Sequence, residues 1–195
     1  DVKVPVQLGV MSACPDALLC ESLFNEVLKH TEDKVDLSLV YVARIDDSDP
    51  DFGVWCKHGP VECAGNVQQL CTKKYAPWPN WWEFVQCQNF EGRYEIGKPG
   101  VALKCAEAAR IDWEESGVGK CAGFDGSGTG EEGIDLLKQS LQYGQDLGIT
   151  KSCTILINER KVCVHDGTWK ECETGHEVAD FVKLIEDEYR HLNRV

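Results

Sequence analysis

Cys14 stands in the run "VMSACPDALLC", residues 10 to 20, where an alternating apolar segment gives way to a helix-like one. A thiol at such a junction is placed to act as a nucleophile. The free amides and the dipole of the following helix stabilise a thiolate, and Pro15 suits the first helical turn. Asp16 works against this, because a carboxylate one turn or less away disfavours a second negative charge. A thiol-exchange site ordinarily carries a partner cysteine three residues on, and that position is Ala17. Cys20 does not replace it. In a continuous helix six residues rise about 9 Å and turn by about 240°, whereas bridged cysteines hold their Cα atoms roughly 4.4–6.8 Å apart. An ordinary structural disulfide at Cys14 is the competing reading.

The chain has 195 residues, 43% of them apolar, enough for one good core and a sizeable insertion. Its 11 cysteines include no Cys-x-x-Cys pair, so a disulfide-rich protein of an oxidising compartment is expected rather than a metal protein. The count is odd, so at least one thiol is free or pairs between chains. A net charge of −13 excludes the basic surface that nucleic acid requires, and it equally disfavours an anionic membrane. No run of 18 apolar residues is present. A chain that starts at Asp1 rather than Met reads as processed, with a signal peptide removed, and it has no Asn-x-Ser/Thr acceptor.

The elements that must position these residues follow from periodicity. Val4, Val6, Leu8 and Val10 alternate as a strand. A helix of about 15 residues follows, its apolar face assigned to Leu19, Leu23, Phe24, Val27 and Leu28. Residues 35–45 ("VDLSLVYVARI") read as one long strand buried on both faces. Strand, helix, strand with short connections makes a right-handed parallel unit. Residues 47–130 hold six cysteines and five of the six tryptophans, and read as a disulfide-held insertion closed by the glycine-rich "GFDGSGTG" as a linker. A helix from Glu131 to Leu147, a hairpin over 153–165 turning near Asn158 to Lys161, and a last helix capped by Thr174 and Glu177 complete the chain. This is an α/β chain in the order of a thioredoxin-like fold. Residues 1–46 and 131–195 form the fold's own domain, and the large, mainly helical insertion follows the second strand.

A second signature, "CKHGPVECAGNVQQLC" over 56–71, resembles the gamma-interferon-inducible lysosomal thiol reductase family, whose pattern reads C-Q-H-G-x-x-E-C-x-x-N-x-x-x-x-C. Cys56, His58, Gly59, Glu62, Cys63, Asn66 and Cys71 match in register; Lys57 stands for Gln. The tail, with Cys163, Cys172 and "HDGTWKEC", resembles fungal members more than animal ones. The resemblance implies a thiol reductase acting on disulfide-bonded proteins in an acidic lysosomal or vacuolar compartment or outside the cell. It implies a Cys-x-x-Cys site in which the first thiolate attacks and the second resolves. Cys14 matches the first and Ala17 departs at the second. The signature itself reads chiefly as a structural knot of disulfides, with substrate docking at His58 as the alternative.

In a thioredoxin-like fold a cis-proline precedes the third strand, and counting back from "TILIN" puts Cys153 at that place. A Cys14–Cys153 disulfide, redox-active or structural, is therefore expected, with Cys153 as the possible resolving partner. Cys56, Cys63, Cys71, Cys87, Cys105 and Cys121 can form three bridges in one of 15 connectivities. Cys163 and Cys172 are near enough to staple the tail. Cys20 is expected as a buried inert thiol, with pairing to Cys153 as its main competitor. The tryptophan-rich "APWPNWWEF", 76–84, reads as core of the insertion, or else as an apolar surface beside Cys14. No cofactor or metal is expected, an external small thiol being the reductant. The expected partners are disulfide-containing proteins, with neither nucleic acid nor membrane among them, and the expected location is secreted or lysosomal/vacuolar.

Overall fold

The computed structural model describes residues 1–194. A five-stranded sheet runs in the order β2-β1-β5-β6-β7. Its strands are β1 (Val4–Val10), β2 (Val35–Tyr41), β5 (Thr154–Ile157), β6 (Arg160–Asp166) and β7 (Thr168–Lys170). β1 and β2 pair in parallel across helix α1 (Pro15–Thr31), and β1–β5, β5–β6 and β6–β7 are antiparallel. The alternation along β1 sends Val4, Val6, Leu8 and Val10 into the main core, all at 0% exposure. There they meet α1 and the last helix, α7 (Val178–Leu192), whose Phe181 packs on Phe24 with ring centroids 5.3 Å apart. The other face is covered by α6 (Glu131–Asp146) and the residues after it, where Val40, Ile149 and Leu156 cluster. Asn158 and Glu159, both at positive φ, make the turn of the β5–β6 hairpin.

β2 ends at Tyr41, the residue opposite Val10, and the last bond to β1 runs from the Val42 N–H to the Val10 carbonyl. The long strand read over 35–45 is thus broken. Arg44–Ile45 (β3) pairs instead with Val54–Trp55 (β4) in a separate ribbon. Between that ribbon and α6 stand α2 (Pro60–Tyr75), α3 (Asn80–Glu91), α4 (Pro99–Ala108) and α5 (Val118–Ala122). A buried chain of polar side chains ties this region to the sheet. The Tyr41 hydroxyl donates to Gln69, Gln69 to Gln88, Gln88 to Gln68, and Gln68 to the carbonyls of Gly97 and Gly126. The glycine-rich 123–130 segment is therefore a packed loop rather than a linker.

Two local expectations are corrected, and a third is settled between its two readings. The buried face of α1 is Ala17, Cys20, Phe24, Val27 and Leu28, packed in the main core, while Leu19 is 41% exposed and outside it. α7 starts one turn later than the Thr174 cap. Gly175 takes a positive φ, and Glu177 with Asp180 forms the capping box. Trp81 and Trp82 are buried at 3% exposure, and the Trp82 indole donates to Asn25 on α1. The tryptophan-rich stretch is core. Trp78, its more open member, donates to Glu32 at the end of α1 opposite Cys14. Among the described residues no helix is long and apolar enough to cross a membrane.

Candidate active site

Cys14 is the N-cap of α1, at φ −81° and ψ 131°, so its side chain stands outside the helical ladder at the amino end of 17 helical residues. It is the one free cysteine among the described residues. It retains 7% exposure, whereas Cys20 and Cys153 have none. Its Sγ lies 3.8 Å from Asp16 Oδ2 and 3.8 Å from the Ser152 carbonyl oxygen. The Ser152–Cys153 peptide bond is cis, at the place assigned to the loop before the third strand.

The expected Cys14–Cys153 bridge is corrected. Cys153 pairs with Cys20, with Cα atoms 6.5 Å apart, across 133 residues of sequence. Cys20 lies six residues into the helix, on the face turned toward β5, and so it meets Cys153, while Cys14 caps the helix from outside. The reading of Cys20 as an inert thiol falls with it, and Cys153 is not a thiol able to resolve a mixed disulfide at Cys14. Four further bridges join Cys56 to Cys63, Cys71 to Cys121, Cys87 to Cys105 and Cys163 to Cys172.

The signature residues grip the turn that presents Cys14. The Glu62 carboxylate is fully buried and accepts from the Ala13 N–H (3.0 Å), the His58 N–H (3.1 Å) and His58 Nδ1 (2.6 Å). Asn66 Oδ1 accepts from the Ser12 N–H, and the Ser12 hydroxyl donates to the Glu62 carbonyl. Arg93 Nε donates to the Ala13 carbonyl at 3.0 Å. Gly59 has a φ of 97°, open to glycine at no steric cost. At Gly65 a Cβ would lie 2.8 Å from Ser12 Oγ, so glycine permits α2 to approach the turn. The Cys56–Cys63 bridge closes this clamp at its base, beside Asn66.

On the opposite side Asp16 Oδ1 accepts from His165 Nδ1 at 2.6 Å and from the Gly167 N–H at 2.9 Å. The backbone of His165 exchanges both hydrogen bonds with Cys153. Sequence reasoning missed the role of His165, although it opens the tail "HDGTWKEC", because it lies 149 residues from Asp16. It missed the clamp of Glu62, although Glu62 was visible as a fixed position of the signature.

A third carboxyl lies deeper. Glu21 is buried four residues after Ala17, and burial pushes its pKa up to about 8 against a hydrogen bond from Asn89 that lowers it. Glu21 Oε2 and Asn89 Oδ1 are buried without hydrogen-bond partners.

The family model for gamma interferon inducible lysosomal thiol reductase (GILT) matches residues 5–109. No curated protein matches the chain. Oxidised BdbD of Bacillus subtilis is similar in structure at a TM-score of 0.63 and 18% identity, over 97% of this chain and 89% of that one. The oxidoreductase DsbA of Xylella fastidiosa gives 0.55 and 13%, over 99% and 88%. A thioredoxin-like oxidoreductase of Silicibacter pomeroyi DSS-3 gives 0.57 and 14%, over 97% and 88%. At these identities the likeness establishes the thioredoxin-like fold.

Proposed function

Because the chain belongs to the gamma interferon inducible lysosomal thiol reductase family, a family of thiol–disulfide oxidoreductases, we propose that it reduces protein disulfides through Cys14 as a single attacking thiol. One observation carries this reading. Of 11 cysteines, ten are locked in five disulfides, and the one left free caps the helix at the site position. With Ala17 in place of a second thiol, release of the mixed disulfide falls to an external low-molecular-weight thiol. A cavity of about 250 Å³ lined by Ala13, His58, Val61, Arg93, Tyr94 and Ile96 adjoins the Cys14 turn and offers room for a substrate chain. The five disulfides fit an oxidising compartment, and we assign the protein to export or to an acidic vacuole.

Insulin reduction with a small thiol as co-reductant tests this. The expected result is a rate above the thiol background that Cys14→Ser removes while the fold persists by circular dichroism. A rate unchanged in that variant overturns the assignment. A second reading rests on the slight exposure of Cys14 and the missing partner at Ala17. In it the scaffold is a catalytically blunted binding module or extracellular effector, and the wild-type protein then adds nothing to the thiol background.

A further inference from the structure

We propose that Asp16 is the acid–base partner of Cys14 and that His165 is the positioning residue that makes it one. This deepens the reading of Cys14 as the attacking thiol and rests on it.

The three side chains form a row. Asp16 Oδ2 faces the sulfur at 3.8 Å, and Asp16 Oδ1 is held by His165 Nδ1 and the Gly167 N–H. Residues two apart in a helix ordinarily point away from each other. Here they meet because Cys14, as N-cap, has an extended backbone. A bare carboxylate so near a thiol opposes its ionisation. Bound to an imidazolium, the same carboxylate belongs to a pair of no net charge, with its free oxygen still turned to the sulfur. The pair is largely shielded, His165 at 11% and Asp16 at 19% side-chain exposure.

The charged groups around it are already committed elsewhere. On the α2 side Glu62 and His58 hold each other. Before α4, Arg93 is bound to the Ala13 carbonyl. On β6, Asp166 lies between Lys151 and Lys170. His176 stacks on Trp169, which in turn meets the edge of His165. From the loop before β5, the group facing Sγ is the uncharged Ser152 carbonyl.

In the reaction Cys14 Sγ attacks one sulfur of the substrate R–S–S–R′. The Sγ–S(R) bond forms as the S–S bond breaks, and the Cys14 proton passes through Asp16 Oδ2 to the departing sulfur, which leaves as R′–SH. A small thiol R″–SH then attacks the R sulfur, giving R–S–S–R″ and returning Cys14 to the thiol through Asp16. A second R″–SH converts R–S–S–R″ to R–SH and R″–S–S–R″. The substrate disulfide has then gained two electrons and two protons from two small thiols.

Iodoacetamide labelling under non-reducing conditions reports on Cys14 alone, since the other cysteines are bridged. It needs no reductase activity, so its outcome is separable from the insulin assay. The rate is measured from pH 4 to 8 in wild type, His165→Gln, Asp16→Asn and the double variant. The expected result is that His165→Gln slows labelling at pH 6 by about tenfold and moves the profile to higher pH, the size of one lost neighbouring charge. In the Asp16→Asn background the same change is expected to cost no more than about twofold. A purely structural disturbance by His165→Gln would slow both backgrounds equally. Equal losses, or no loss in the first, overturn the proposal.

Discussion

Two histidine–carboxylate pairs of matching geometry flank the Cys14 turn, each with a 2.6 Å bond from Nδ1. They differ in what the carboxylate does with its remaining capacity. Glu62, fully buried, spends it on backbone N–H groups and fixes Ala13. Asp16, partly open, turns an oxygen to a sulfur. The first pair is architecture from the insertion. The second is chemistry at the junction of helix and hairpin. The same hydrogen-bonded pair serves either end according to whether backbone donors or a reactive atom lies within reach.

The largest effect is expected at Glu21, a buried carboxyl with no histidine beside it. Its folded pKa of about 8 lies above the unfolded value near 4.5. The folded state therefore holds the proton more tightly, and this contribution is fully present below pH 4.5 and lost as pH rises through 8. Across that window the loss is on the order of 4 kcal/mol. Thermal or urea unfolding from pH 4.5 to 8 should show a decline that Glu21→Gln flattens. An undiminished decline in the variant would remove Glu21 as its cause.

Next in size is the clamp. Glu62→Gln strips the buried pair and is expected to destabilise by roughly 2 to 3 kcal/mol, read by urea unfolding without reductant. Asp16→Asn should cost under about 1 kcal/mol in the same assay while altering labelling of Cys14. Equal stability losses would erase the distinction between the pairs. His58→Ala is expected to cost less than Glu62→Gln, about 1 kcal/mol, because Glu62 keeps the Ala13 and His58 backbone donors. A loss as large as that of Glu62→Gln would show the imidazole, rather than the carboxylate, to be the clamp.

Much of the fold was legible because its signals are local. Alternation along Val4 to Val10, the Pro15 start of α1 and the turn after Ile157 each report on their own neighbourhood. The end of β2 was not, since it lies in the pairing with β1 rather than in its own residues. The misplaced cap of α7 had a similar cause, as Gly175 and the bridged Cys172 delay the helix beyond the first residues able to cap it.

Residue types and spacing alone determined that a single thiol would stand at a helix start without its partner three residues on. They also determined that Cys153 would occupy the loop before the third strand, and that a sixteen-residue signature would run from Cys56 to Cys71. Only the tertiary structure decided which sulfur Cys153 meets and that His165 reaches Asp16. Those choices join residues 133 and 149 positions apart. Helical phase turns Cys20 into the core and leaves Cys14 at the cap, and hairpin register sets His165 opposite Cys153. No local pattern encodes a distance across a folded core.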